Sequence, residues 1–286
     1  MKYNPNLFPE KISHCYASKF ENHNCSLRSQ VEYSAKEKAK CRGYKKDPVG
    51  DKMAEIENGI LQKYKGRLLV LATGECAIRC RFCFRRNMRY KKSNDLPQRL
   101  AKILEKKQTI KEVILSGGEP LMLKDSELKA LFKAIPKNIN IRIHSRMPIA
   151  MPKRFTPTLL NMLKQLGTRL IFVAHVNHPN ELDAHSKRVF EHLRLRKAVL
   201  LNQSVLLKGV NDRAEILATL SEKLFSQGVL PYYLHQLDRA QGAVHFEVPI
   251  KTAKAIFAEL KGMLPGYLVP RFVKEVKGKN SKTWIS

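Results

Sequence analysis

The stretch Arg67–Phe84, RLLVLATGECAIRCRFCF, is a short apolar run that ends in a loop carrying Cys76, Cys80 and Cys83 at C-x3-C-x2-C spacing. An apolar run of this length, closed by a turn, reads as a strand buried on both faces. The loop therefore hangs on a strand end, where three thiolates on a short, bent segment can converge on one inorganic cluster. Three is the informative number. Metal sites that only hold structure usually close the shell with four protein ligands, whereas three leave a position open to a small molecule. A 4Fe-4S cube held by these cysteines keeps one iron free. The competing reading is a structural zinc site that borrows Cys41 or His23. Against it, Cys15, Cys25 and Cys41 are irregularly spaced and form no knuckle pair.

The pattern of that strand recurs downstream. EVILSG (112–117), NIRIHS (140–145), RLIFVAHV (169–176), AVLLNQSVLL (198–207) and LPYYLHQL (230–237) read as strands. Each of the six is followed by an amphipathic helical stretch, near 95–107, 125–134, 157–166, 180–196, 212–226 and 250–262. Start signals support them: Thr156 precedes Pro157, and Asn211 or Asp212 stands ahead of AEILATLSEKLF. Alternating βα units imply parallel strands with right-handed crossovers and helices covering the sheet. Six are too few for a closed eight-stranded barrel, so the predicted fold is α/β, a partial (β/α)6 barrel with chemistry at its C-terminal edge. GYLVPRFVKEV (266–276) is a seventh strand or a closing segment. The expected organisation is a polar lead-in of loops and short helices over 1–60, the core over 61–265, and a closing segment over 266–286.

At 286 residues the chain is long enough for one barrel. No apolar run reaches the ~18–20 residues of a membrane span, and MKYNPNLFPEK lacks a secretory apolar stretch. Crowded cysteines suit a reducing compartment, so a cytoplasmic location is expected. Lys and Arg total 53 against 25 Asp and Glu, a formal charge of +28. The excess is spread over solvated faces rather than gathered in one stripe with aromatics, which argues against a nucleic-acid interface while leaving room for an acidic protein partner.

One strand after the cysteine loop comes SGGEP. Gly117 and Gly118 permit close backbone approach, and Glu119 offers a carboxylate to an ammonium group. The three-cysteine loop and this turn together resemble the radical S-adenosylmethionine (SAM) enzymes. CRFCFRRNMRY, SGGEPLMLKDSEL, RIHSRMPIAMP, HVNHPNE, LNQSVLLKGVND and PYYLHQLDRAQGAVHF narrow the resemblance to the lysine 2,3-aminomutase branch, over about residues 47–284. Within it, LLNQSVLLKGVND, YYLHQLDRAQGAVHF and GYLVPRFVKEV look most like the enzymes that form (R)-β-lysine for elongation factor P.

The resemblance implies an isomerase with a 4Fe-4S cluster, SAM and pyridoxal 5′-phosphate (PLP), with lysine or a lysyl group as substrate and a flavodoxin or ferredoxin as reductant. It implies that Glu119 holds the SAM ammonium, that His175 and Gln203 line the SAM site, with His144, Ser145 and Arg146 as weaker candidates, and that His235 faces the PLP ring. PLP needs a lysine able to form an imine. Lys282, in NSKT, matches that position, and Lys279 is the substitute. Lys63, Tyr64 and Arg67 would face the cofactor phosphate. Arg85 would grip the substrate carboxylate, which a guanidinium fork fits better than an ammonium, with Arg86 as fallback. Asp238 and Glu275 would neutralise the far ammonium of lysine; otherwise they would pair at the surface, Asp238 with Arg239 and Glu275 with Lys274 or Arg271. The ending shortly after Lys282 is read as favouring the elongation factor branch over free-lysine aminomutases. A radical SAM enzyme without PLP, a basic nucleic-acid-binding protein, and homo-oligomer formation stay open at this stage.

Overall fold

The computed structural model describes residues 8–20, 25–88, 90 and 93–285. Ten strands form a single sheet whose spatial order follows the chain: β1 (Glu55–Glu57), β2 (Ile60–Leu61), β3 (Arg67–Thr73), β4 (Glu112–Gly117), β5 (Asn140–Ser145), β6 (Leu170–His175), β7 (Val199–Val205), β8 (Leu230–His235), β9 (Arg271–Lys274) and β10 (Thr283–Trp284). Strands β3 to β9 are parallel. The order never reverses, so every right-handed crossover puts its helix on the same face, and such a sheet curls toward a barrel rather than staying open and doubly wound. The six predicted strands are β3 to β8. Their helices are Leu96–Lys106, Asp125–Lys133, Pro157–Leu166, Ala184–Arg194, Ala214–Ser226 and Ile250–Met263.

The last apolar run supplies a seventh parallel strand, β9, against which β10 turns back antiparallel. At the other edge the lead-in contributes the hairpin β1–β2, antiparallel to β3, where loops and short helices were expected. Strands of two or three residues are too short to show a period of two in the sequence.

Register places the polar residues. His144 pairs with Val173, two residues before His175; His175 pairs with Gln203, and Gln203 with Tyr233. Paired residues of parallel strands point to one face, so His144, His175, Gln203 and Tyr233 share the face turned away from the helices. The alternate residues Ile141, Ile143, Phe172, Ala174, Leu200 and Leu234 are buried under the helices and belong to the apolar core. Burying a leucine or phenylalanine there contributes about 1.5–3 kcal/mol. The face opposite the helices is polar enough to hold ligands.

Thr156 caps the helix at Pro157 as expected, its side chain accepting from Leu159 N. Asn211 does not cap the next-but-one helix, which starts at Ala214 behind an Arg213 that makes no side-chain cap. It is fully buried instead; its amide donates to the carbonyls of Asn177 and Val205 while its oxygen accepts from Leu207 N. A buried asparagine between two loops satisfies three backbone groups that a cap would leave open.

Candidate active site

The cysteine loop leaves β3 at Thr73, whose Oγ1 accepts from Glu75 N at 3.1 Å. The lead-in braces the loop from outside: Arg79 N donates to Lys11 O at 2.8 Å and Arg81 N to Gln30 O at 2.7 Å. Arg81 is fully buried and forks onto Glu37, Nε to Oε1 at 2.7 Å and Nη2 to Oε2 at 2.5 Å. Arg86 joins the same carboxylate and donates to Gly242 O at 2.9 Å, so it is anchored in the loop and not free for a ligand. A buried bidentate pair is tolerated because both ions keep their hydrogen bonds.

All six cysteines are free thiols. Burial, and after it the neighbouring sulfurs, push Cys76 well up and Cys83 to about 11. Cys76 and Cys83 therefore need a bound cation to exist as thiolates at neutral pH. Among the described residues no three His, Cys, Asp or Glu side chains meet closely enough to hold a metal ion. Single-ion zinc needs its ligands ~2 Å from one centre, whereas a cube carries each thiolate on a separate iron. Of the two zinc partners considered, Cys41 is exposed and His23 lies outside the described residues. The donor set fits a three-cysteine cluster better than zinc.

Gly117 and Gly118 serve packing. Gly117 has φ +113°, and a Cβ on it would stand 2.7 Å from Thr73 O; a Cβ on Gly118 would collide with Glu75 O and lie 2.8 Å from Gly74 C. Gly118 N donates to Thr73 O at 2.6 Å and Glu119 N to Glu75 O at 2.7 Å. The two glycines thus let the β4 turn lie against the start of the cysteine loop. Glu119 is buried, accepting from Leu121 N at 3.1 Å and Arg146 N at 2.8 Å. Burial outweighs those bonds and pushes its carboxyl up to about 7, and no ion pair among the described residues reaches it. A buried carboxyl lacking a cation is a suitable receptor for an ammonium.

Arg146, a minor candidate on sequence, is central in the structure. Its Nη1 donates to Cys80 Sγ at 2.8 Å and its Nη2 to Gln30 Oε1 at 2.6 Å, with Glu181 as counter-ion. Ser145 is buried and caps Met147 N at 3.0 Å. His175 sits edge-on to Phe82, 5.7 Å between centroids, and hydrogen-bonds Asn177 at 3.2 Å. Burial and the Arg146 charge hold it neutral, with a pKa near about 3. Gln203 lies beside it in register.

The remaining candidates form a second group. Lys282 Nζ donates to Glu275 Oε2 at 2.8 Å, and Tyr64 OH donates to Glu275 Oε1 at 2.7 Å. Arg67 stacks over the Tyr64 ring at 4.8 Å, and Lys282 lies 5.8 Å from the Tyr233 centroid. Glu275 thus points inward, and Arg239 pairs with Glu247 rather than with Asp238. Burial pushes the Asp238 carboxyl up to about 7, with Glu275 adding to the rise and Lys282, Lys63 and Arg85 opposing it. His144 and His235 are held neutral by burial, and Lys282 is among the charges each feels. His144 Nε2 is buried without a partner among the described residues. Lys279 stands exposed on the tail.

Asp51 was not singled out on sequence. It is buried at the start of a short helix, with Arg85 Nε donating to Oδ2 at 2.6 Å and Lys63 Nζ at 2.7 Å from Oδ1 in an ion pair without hydrogen-bond geometry. Arg85 also donates to Ser116 Oγ at 3.3 Å. One carboxylate thereby holds the cation two residues past Cys83 and the cation ahead of β3. In the sequence it is simply the last residue of DPVGD (47–51), at the end of the polar lead-in, with no mark of its partners. A half-buried lysine, a phenol, several cations and an orphaned histidine nitrogen suit a phosphorylated pyridine cofactor.

The Radical SAM superfamily model matches residues 70–220. The chain is 42% identical over 285 residues to L-lysine 2,3-aminomutase of Haemophilus influenzae, covering 97% of this chain and 84% of that protein. It is 40% identical to the Escherichia coli L-lysine 2,3-aminomutase, covering 97% and 83%. In fold it resembles a radical SAM methyltransferase from Sphaerobacter thermophilus, with a TM-score of 0.50 at 16% identity over 75% of this chain and 68% of that one. With the cysteine loop, the GGE turn and the tail lysine in place, the chain belongs to the lysine 2,3-aminomutase family of the radical SAM superfamily.

Proposed function

We propose that the protein is a cytoplasmic isomerase that moves the α-amino group of lysine to the β-carbon, forming (R)-β-lysine for elongation factor P. The observation that carries this reading is the meeting of Tyr64 with Glu275, 211 positions away, and through it with Lys282, in a group whose charges Asp238 also feels. Three cofactors serve the family: cluster and SAM supply a carbon radical, and PLP carries the migrating nitrogen. Cys76, Cys80 and Cys83 hold the cluster, Glu119 takes the SAM ammonium, and His175 and Gln203 line the SAM site. Gly117 and Gly118 keep that turn tight against the cluster loop.

Lys282 binds PLP, with Lys63, Tyr64 and Arg67 at its phosphate. Burial and Glu275 push the Tyr64 phenol up, so it remains a donor at neutral pH. Arg85 takes the substrate carboxylate with the nitrogens that Asp51 leaves available. Asp238 and Glu275 neutralise the far ammonium; Glu275 then exchanges Lys282 for substrate once the lysine is engaged. The side chains orient and exclude water.

Elongation factor P as destination is supported by LLNQSVLLKGVND, YYLHQLDRAQGAVHF and GYLVPRFVKEV, and a charge of +28 suits an acidic protein partner. A reductant such as flavodoxin or ferredoxin belongs to the same reading. The test is anaerobic reconstitution with iron, sulfide and PLP, borohydride reduction, and peptide mapping. A phosphopyridoxyl group on Lys282 together with β-lysine from lysine supports the reading. A cluster without the adduct removes PLP chemistry from it. Comparing turnover on lysine alone with β-lysine delivered to elongation factor P separates the two destinations.

A further inference from the structure

The three cluster cysteines are not equivalent. Among the described residues Cys80 is the one whose sulfur accepts from a charged side chain, Arg146 Nη1 at 2.8 Å. Cys83 has a backbone N–H from Arg85. Arg146 is buried, its guanidinium lying 5.6 Å from the Phe82 centroid and 5.4 Å from that of Tyr16, which keep water off it. Nη2 donates to Gln30 Oε1 at 2.6 Å and Tyr16 OH at 3.1 Å and pairs with Glu181. Nε is buried without a partner among the described residues. The backbone N–H of Arg146 meanwhile holds Glu119 Oε2 at 2.8 Å. One residue therefore ties the cluster ligand to the carboxylate of the GGE turn.

A fixed positive charge and an N–H donor on a cluster thiolate stabilise the reduced, more negative state and raise the reduction potential, and in a dry site the effect is weakly screened. A carboxylate behind the guanidinium works in the opposite sense. We propose that Arg146 sets the reduction potential of the cluster through Cys80, and that Glu181 tunes it downward as the counter-charge. This inference rests on the cluster reading above. Arg146 acts as a positioning and tuning residue, since its path to the reacting atoms runs through the thiolate.

The experiment is anaerobic potentiometry of the reconstituted protein followed by EPR, with iron and sulfide content measured first. Absence of a cluster in the unaltered chain defeats the cluster reading itself. Given a cluster, Arg146→Gln lowers the potential enough to reduce the reduced-to-oxidised ratio about tenfold, which for one electron is about 59 mV. Glu181→Gln raises it. Opposite signs separate tuning from simple damage, which would move both variants the same way or strip the iron from both. Should either variant lose its cluster, Gln30→Glu keeps Arg146 in place and adds a carboxylate against Nη2; it is expected to lower the potential. An unchanged potential in cluster-loaded Arg146→Gln or Gln30→Glu overturns the proposal.

Discussion

Lys282 and Glu275, seven residues apart on the closing segment, form an ion pair of 2.8 Å that is turned into the barrel mouth, with Tyr64 on the second carboxylate oxygen. Antiparallel pairing of β10 with β9, Thr283 opposite Lys274, brings them together. Glu275→Gln weakens the hold on both partners and, on the proposed reading, removes a charge for the far ammonium of lysine. The expected outcome in steady-state kinetics is a KM for lysine raised at least tenfold, with a smaller loss of kcat.

Asp51 is buried between Arg85 and Lys63. Removing its charge leaves Arg85 without its counter-ion and Lys63 with only Glu275, 3.9 Å away, a loss of about 3–5 kcal/mol. Asp51→Asn is expected to lower the denaturant midpoint by that equivalent. An unchanged midpoint would show that the two cations find other partners.

The GGE turn predicts a sharp contrast between glycines. Gly118→Ala drives a Cβ into the Glu75 backbone and should abolish iron retention by the cysteine loop. Gly262→Ala lies inside a helix and meets nothing within 4 Å among the described residues beyond its own helix, and should stabilise the fold by about 0.5–1 kcal/mol. Iron content and thermal unfolding read the two outcomes.

Asp238 carries a pH signature. Its carboxyl is raised to about 7, chiefly by burial, so the native state keeps a proton that the unfolded chain releases near about 4. Stability from this group is therefore highest below about 4, declines as pH rises toward 7, and levels off above it. Lysine affinity should run the other way, increasing from pH 6 to 8 as the carboxylate forms. Calorimetric titration with lysine at several pH values checks this, and Asp238→Asn should flatten the profile.

Acid should act through the opposite class of carboxyl. In Glu37, Glu181 and Asp51 burial alone would raise the pKa, but the arginine and lysine partners outweigh it and hold each below its ordinary value. A depressed carboxyl contributes stability above its unfolded value of about 4 and loses it as pH falls through the native one. Unfolding scans should show an acid limb below about pH 4, and Glu37→Gln should lose part of that limb along with overall stability.

Local pattern was enough for much of the molecule. Apolar runs of strand length alternating with amphipathic helices named β3 to β8 in order, and C-x3-C-x2-C marked the cluster loop, because periodicity and ligand spacing are properties of adjacent residues. Tertiary structure alone decided which charges meet. Glu37 with Arg81 and Arg86, Asp51 with Arg85 and Lys63, and Glu181 with Arg146 are separated by between 12 and 49 positions, and a lone acid in a basic chain carries no mark of its partner. The hairpin β1–β2 and the strand β10 were hidden for a related reason: they exist by pairing with an edge already formed, and their few residues hold too little pattern to announce it.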